Sequence, residues 1–151
     1  MTHYRHTQNA WWAYAIMFGF ALYSIGVAVF FGPSYSLFWI LTATGVFFVA
    51  LGTLFSRLTV EVTETEIRVA FGIGLIRRTI PLSNVASCEP VRNKWYYGWG
   101  IRYIGKGWMW NVTGLDAVEL QYQSGSAFRI GTDEPRKLAQ AINLRLEELK
   151  G

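Results

Sequence analysis

Hydrophobic and polar positions follow one another in three successive patterns along this chain. From Ala10 to Phe55 nearly every position is apolar, in two runs with a single break. The first run, residues 11–31, includes Ile16, Phe18, Phe20, Leu22, Ile25, Val27 and Val29; the second, residues 36–56, includes Leu37, Trp39, Ile40, Val46, Phe47, Val49 and Leu54. About 20 residues at helical rise cover the roughly 30 Å hydrocarbon core of a bilayer, and only a helix satisfies its own backbone there. Each run therefore predicts a transmembrane helix. Residues 32–35 predict the turn, because Pro33 bars helix continuation and Gly32 permits a left-handed cap. So short a connection implies an antiparallel hairpin, with residues 1–10 left as a tail.

After Arg57 the period falls to two. Leu58, Val60 and Val62 alternate with polar residues, as do Ile67, Val69 and Phe71, and Thr63 to Glu66 separates the two runs. Further short runs over 75–80, 85–91, 100–104, 108–112, 118–122 and 127–130 bring the expectation to seven or eight strands. Regular spacing of this kind predicts a small antiparallel sandwich or barrel. The period lengthens again after Gly131. Thr132 and Asp133 are cap candidates and Pro135 suits a first turn, while Leu138, Ala141, Ile142, Leu146 and Leu149 recur at helical spacing. One amphipathic helix, residues 133–149, is predicted to close the open end of a domain spanning residues 57–151.

Composition explains why these patterns belong together. The 151 residues are 52% hydrophobic and only 16% charged, against about a quarter charged in a typical soluble domain. The deficit is local: Arg5 is the single charge before Arg57, and no acid precedes Glu61. That excludes an ordinary soluble globule, and the hydrophobicity excludes disorder. Arg5 before the first run and Arg57 after the second, with an uncharged turn, predict both termini on the cytoplasmic face. A single Cys88 agrees with a reducing compartment. On that face the acceptor pattern Asn111-Val112-Thr113 has no glycosylation role. A signal peptide is not expected, because Ala13-Tyr14-Ala15 lies at the wrong end of the first run.

Small residues form a stripe in each run: Ala15, Gly19, Leu22, Gly26 and Val29 in the first, and Thr42, Gly45, Val49, Gly52 and Ser56 in the second. Small residues allow membrane helices to approach closely. The expectation is that Gly19, Gly26, Gly45 and Gly52 pack the two helices together, with an oligomer seam as the alternative. No ionisable residue lies inside either run, so an ion or proton path lacks its usual marker.

Catalytic groups are scarce. His3 and His6 both lie in the tail, where two ligands make a weak metal site. Cys88 without a partner reads as a buried small side chain. Asp116 and Glu119, three apart on a strand, point to opposite faces. The Gly-x-Gly pairs at 72, 98 and 105 lack the Lys-Ser/Thr ending of a phosphate loop. No enzyme, cofactor or metal is expected.

Four segments carry a resemblance: Ile80-Pro81-Leu82-Ser83-Asn84-Val85, Tyr97-Gly98-Trp99-Gly100-Ile101-Arg102-Tyr103, Gly107-Trp108-Met109-Trp110-Asn111-Val112-Thr113-Gly114, and Phe128-Arg129-Ile130-Gly131-Thr132-Asp133-Glu134-Pro135. Together they resemble bacterial pleckstrin-homology-like (PH-like) domain proteins with an N-terminal pair of membrane helices, over essentially the whole chain. The resemblance implies an architecture, a two-helix transmembrane hairpin followed by a PH-like β-domain with a C-terminal helix, in a bacterial inner membrane. Eukaryotic PH domains grip phosphoinositides with Lys and Arg around the first hairpin. Here that turn is Thr63-Glu64-Thr65-Glu66, so phosphoinositide binding there is not expected.

The feature least like a plain scaffold runs from Arg92 to Trp110. It interleaves Trp95, Tyr96, Tyr97, Trp99, Tyr103, Trp108 and Trp110 with Arg92, Lys94, Arg102 and Lys106. Strand alternation puts Trp108 and Trp110 on one face, with Met109 and Asn111 on the other. In one reading Trp99, Trp108 and Trp110 build the core. In a second, Arg92, Lys94, Trp95, Tyr96, Tyr97, Trp99, Arg102 and Lys106 contact a partner or anionic headgroups. Nucleic-acid stacking is a third reading, but a membrane anchor is an odd location for it, and no nucleic-acid partner is expected. The leading expectation is a non-enzymatic, membrane-anchored module that engages a protein partner or self-assembles; the alternative is an anionic-lipid-sensing accessory subunit.

Overall fold

In the computed structural model the described residues are 2–33 and 35–149. Met1 of the expected tail, Ser34 of the expected turn, and Lys150 and Gly151 of the expected domain lie outside them. The chain begins with a strand, β1 (Thr2–Asn9), followed by the helices α1 (Trp11–Phe31) and α2 (Ser36–Phe55). Strands β2 (Arg57–Thr63), β3 (Glu66–Phe71) and β4 (Ile76–Pro81) come next. Then follow β5 (Val85–Arg92), β6 (Gly100–Tyr103), β7 (Gly107–Asn111), β8 (Asp116–Tyr122), β9 (Ala127–Gly131) and the helix α3 (Pro135–Glu148).

The first departure from expectation is the N-terminus. Residues 2–9 are a strand rather than a tail, paired antiparallel with β2 from Thr2↔Thr63 to Asn9↔Arg57. Alternation there is masked because the residues are polar on both faces, yet Gln8 is buried and Tyr4 packs on the core. The β-domain is therefore assembled from both sides of the helical hairpin, and Arg57 is not its boundary.

Both helices are long and apolar enough to cross a membrane. Gly32 ends α1 at φ 76°, ψ 165°, outside the left-handed cap but in a region open essentially to glycine. The small-residue stripes divide. Gly45 and Gly52 do pack the helices: a Cβ on Gly45 would meet Ile25 Cγ1 at 2.8 Å, and one on Gly52 would meet Met17 Cβ at 3.2 Å. Gly19 and Gly26 do not, since a Cβ on either meets nothing within 4 Å. The α1 face turned to α2 carries Ala21, Ser24 and Ala28 instead. Two faces of α1 are lined with small residues, and periodicity alone does not say which one meets α2.

The strands form two open sheets, ordered β1-β2-β3-β4 and β5-β8-β9-β7-β6. Every pairing is antiparallel except β7 with β9. The exception follows from topology. The β8–β9 hairpin folds β9 into the space between β7 and β8, which run in opposite directions, so β9 must be parallel to one of them. Pro90 sits in β5 without a broken ladder because β5 is an edge strand. The core lies between the sheets, where Phe71 meets Trp110 at 5.2 Å and Trp110 meets Phe128 at 5.8 Å between ring centroids. Phe55, the last residue of α2, joins the cluster by packing on Phe71 at 5.5 Å.

Helix α3 buries Leu138, Ala139, Ile142 and Leu146, while Leu149 from the expected stripe is exposed. Its start is held by Thr132, whose Oγ1 accepts a hydrogen bond from the Glu134 backbone N–H at 3.1 Å.

Candidate functional site

Strands β5 and β6 lie at opposite edges of the second sheet, so the chain between them must cross the whole sheet. Residues 93–99 do this as a strap over the outer face, away from the first sheet. Arg129 of β9 pins it from below. The Arg129 guanidinium pairs with buried Glu119, donates to Asn93 Oδ1 at 3.2 Å, and lies 5.9 Å from the centre of the Tyr97 ring. Gln121 Nε2 donates to the second Glu119 oxygen at 2.7 Å. Met109 and Asn111 are also buried on this outward side, and Asn111 closes the β7–β8 turn by donating to the Gly114 carbonyl at 3.0 Å and lies against Gly131 of β9.

Within the strap, residues 95–97 make one 3₁₀ turn, closed by the Tyr97 N–H on the Lys94 carbonyl at 3.0 Å. The turn carries three aromatic rings, each nearly perpendicular to the next, with Tyr97 half-buried toward Arg129. Trp95 is 80% exposed and Tyr96 is exposed beside it. The Lys94 ammonium lies 5.6 Å from the Tyr96 ring centre, and its hydrogen bond to the Tyr96 side chain holds its pKa above the ordinary lysine range. Arg92 reaches Asp116 at 3.6 Å, an exposed pair that contributes little to stability.

The second half of the segment forms the sheet edge. β6 pairs with β7 alone, with Ile101 opposite Trp110 and Tyr103 opposite Trp108. Directly opposed residues share a face, and this is the core face. Trp110 is buried under Phe71 and Phe128, but the first sheet ends before it covers the remaining three. Tyr103 is 64% exposed and Trp108 46%, and their rings meet edge to face at 5.7 Å. An uncovered extension of the core thus lies along an open strand edge. Trp99 begins it and packs on Trp12 of α1 at 4.7 Å. Trp12 Nε1 in turn donates to Thr113 Oγ1 at 3.1 Å. Arg102, on the outer face, donates from Nε to the Trp99 carbonyl at 3.2 Å, and Lys106 is exposed in the β6–β7 turn.

The eight predicted site residues are therefore spread across the sheet. Arg92 ends β5, Lys94, Trp95, Tyr96 and Tyr97 belong to the strap, and Trp99, where the strap meets β6, joins Arg102 and Lys106 at the β6 edge and its turn. The core reading holds for Trp110 alone, because Trp99 and Trp108 are both about half exposed. Ile101, Tyr103 and Trp108 complete the apolar edge. Alternation placed Trp108 on the right face, but where the opposing sheet stops is not written in its local pattern.

The other candidate groups are dispersed. His3 lies 3.7 Å from Glu64, and His6 Nε2 lies 2.6 Å from Asp133 Oδ1, so the two histidines serve separate contacts. Among the described residues no three His, Cys, Asp or Glu side chains are placed to hold a metal. Cys88 is buried, and desolvation, with the Glu89 charge adding to it, pushes its thiol up to about 12. Such a thiol stays protonated and is a poor nucleophile. An open cleft of about 510 Å³ between β4 and the β8–β9 turn is lined by Arg78, Asn84, Tyr122 and Gln123, a set with no carboxylate or imidazole for proton transfer. Compared with known proteins, the chain matches no family model and no curated sequence.

Proposed function

We propose that this chain is a non-catalytic, membrane-anchored, PH-like binding module that docks a protein strand on the open edge of β6. The observation that carries the reading is the uncovered core face formed by Ile101, Tyr103 and Trp108 beside unpaired backbone of an edge strand. Exposed apolar edges are ordinarily blunted by charge or covered, so one left open at the end of a core marks a place for another chain. An added strand would use the β6 backbone groups for affinity and the aromatic side chains for selectivity. Arg102 and Lys106 beside the edge favour a partner with acidic flanks.

The helices α1 and α2 serve as the anchor in this reading. Their ends are joined by the β1–β2 pairing, so both emerge on one side of the bilayer. Arg5 and Arg57 flank them there, which favours the cytoplasmic face of a bacterial inner membrane.

The test is recovery of the full chain from gently solubilised membranes. A partner or a second copy should co-purify with it, and Tyr103→Ala with Trp108→Ala should weaken that association at least tenfold. A chain that is monomeric and partner-free, or whose association ignores both substitutions, overturns the proposal.

The contact of Trp99 with Trp12 favours a second reading, in which the segment touches anionic headgroups at the base of the helices. Nanodiscs holding the full chain with varied anionic lipid separate the two. A lipid sensor loses its response with Arg92→Glu and Lys94→Glu, whereas a fragment starting at Arg57 is unsuitable because it removes β1.

A further inference from the structure

We propose that the β3–β4 turn, residues 72–75, is a second and shallow membrane-insertion element, with Ile73 and Leu75 lying at the headgroup–acyl boundary beside the exit of α2. The inference rests on the membrane-anchored reading and adds a lipid contact that reading does not contain.

Strand direction places the turn. β2 leaves α2 at Arg57 and runs away from the helices, and β3 returns antiparallel, with Phe71 opposite Leu58. The β3–β4 turn must then lie at the helix end of the sheet, while the β2–β3 turn, with Glu64 and Glu66, lies at the far end. Packing fixes its height. The Gly72 N–H donates to the Arg57 carbonyl at 2.9 Å, and the Gly74 N–H closes the turn on the Phe71 carbonyl at 2.8 Å. Gly72 lies so close to the last turn of α2 that a Cβ would sit 2.4 Å from the Thr53 carbonyl oxygen and 2.5 Å from that of Leu54. Its φ of 54° also requires a left-handed backbone, so glycine is demanded twice. The tip is thereby held at the level where an inserted α2 leaves the hydrocarbon.

The chemistry of the tip suits that level. Turn tips favour Gly, Asn, Asp, Ser and Pro, yet this one presents Ile73 at 73% and Leu75 at 75% exposure. Arg57 and Arg77 flank it, cations at the height of anionic headgroups. The opposite end of the same sheet is polar, with Glu64 in the β2–β3 turn and Glu66 paired with Arg68 at the start of β3. Interfacial elements elsewhere show the same order of apolar tip and basic shoulder.

The test uses the full chain with Cys88→Ala, spin-labelled one site at a time at Leu75→Cys, Val46→Cys or Ser124→Cys, in nanodiscs of zwitterionic and anionic lipid. Val46 is exposed at mid-helix on α2, and Ser124 lies at the far end, where the Gln123 N–H bonds the Asn84 carbonyl at 3.0 Å. The ratio of oxygen to water-soluble nickel-chelate accessibility should be several-fold higher at Leu75 than at Ser124, and highest at Val46. A Leu75 label as open to nickel as Ser124, with Val46 still oxygen-rich, overturns the insertion element and leaves the anchor standing. A nickel-accessible Val46 label overturns both. A Leu75 label shielded from both reagents and spin-coupled to another Leu75 label places a second copy on the tip, and overturns the lipid assignment.

Discussion

Asn9 and Arg57 are register partners across β1 and β2, although both long apolar helices lie between them in the chain. The next residues out, Ala10 and Ser56, close the junction with an N–H to carbonyl hydrogen bond of 2.7 Å. The helical hairpin is thus an insertion in a β-hairpin, and Arg57 reinforces the joint by donating to the Tyr14 hydroxyl at 3.1 Å. Helices and sheet are coupled through paired backbone rather than through a flexible linker.

Removal of residues 2–9 should therefore damage the β-domain itself. It strips one ladder from β2, uncovers its edge and deletes the His6–Asp133 contact with the start of α3. With each net hydrogen bond contributing about 0.5–1.5 kcal/mol, the loss should exceed about 2 kcal/mol and promote aggregation. Thermal unfolding of the truncated chain in detergent checks this. An unchanged midpoint would show that β1 is dispensable.

The glycines of the two helices should respond differently. Gly45→Val pushes a branched side chain into Ile25 and should cost about 1–3 kcal/mol of helix-pair stability, as overpacking does. Gly19→Val meets open space and should leave the pair within about 0.5 kcal/mol of the parent. Unfolding in mixed micelles measures both. Equal effects would contradict the observed helix face.

The strap depends on the Glu119–Arg129 pair. Arg129→Met leaves a buried carboxylate without its counter-ion and should cost about 3–5 kcal/mol, with faster amide exchange over residues 93–99. The double variant Glu119→Met with Arg129→Met should recover much of the stability but not the strap, since Asn93 and Tyr97 still lose their cation. Hydrogen exchange that leaves 93–99 unchanged in both variants would show that the strap is held by other contacts.

Alkaline pH should destabilise the fold through Cys88. The thiol pKa rises to about 12 on folding from 9.0 in the open chain, so the unfolded state loses its proton first as pH rises. That stability is intact below about pH 9 and falls by roughly 1.4 kcal/mol per pH unit up to about 12. Burial also raises Tyr4 from 10.0 to about 12, with Glu134 and Asp133 adding to it, and steepens the fall above pH 10. Cys88→Ala should remove the part that begins near pH 9. Denaturant titrations across pH 8–12 measure the slopes, and identical slopes in parent and variant would refute the assignment.

Local pattern was enough wherever one face of an element meets one environment. The two apolar runs, the alternation of β2 and β3 and the start of α3 were legible because their side chains repeat with the period of the backbone that carries them. Reading failed where burial comes from a distant segment. β1 looks like a tail because its strand character depends on β2. Gly19 and Gly26 look like packing residues because α1 carries small residues on two faces. Arg129 faces outward as a strand residue should, yet it is largely buried because Asn93 and Tyr97 arrive over it from a strap that begins at the far edge of the sheet.

The candidate site divides along the same line. The sequence by itself determined that aromatic and basic residues concentrate between Arg92 and Trp110, and that this stretch follows an uncharged pair of helices, since composition and periodicity are properties of neighbouring residues. Only the tertiary structure decided that Trp110 is core while Ile101, Tyr103 and Trp108 are not, and that Ile73 and Leu75 stand beside the end of α2. Exposure is set by where the opposing sheet ends and where the turns fall, and those limits come from chain segments remote in sequence.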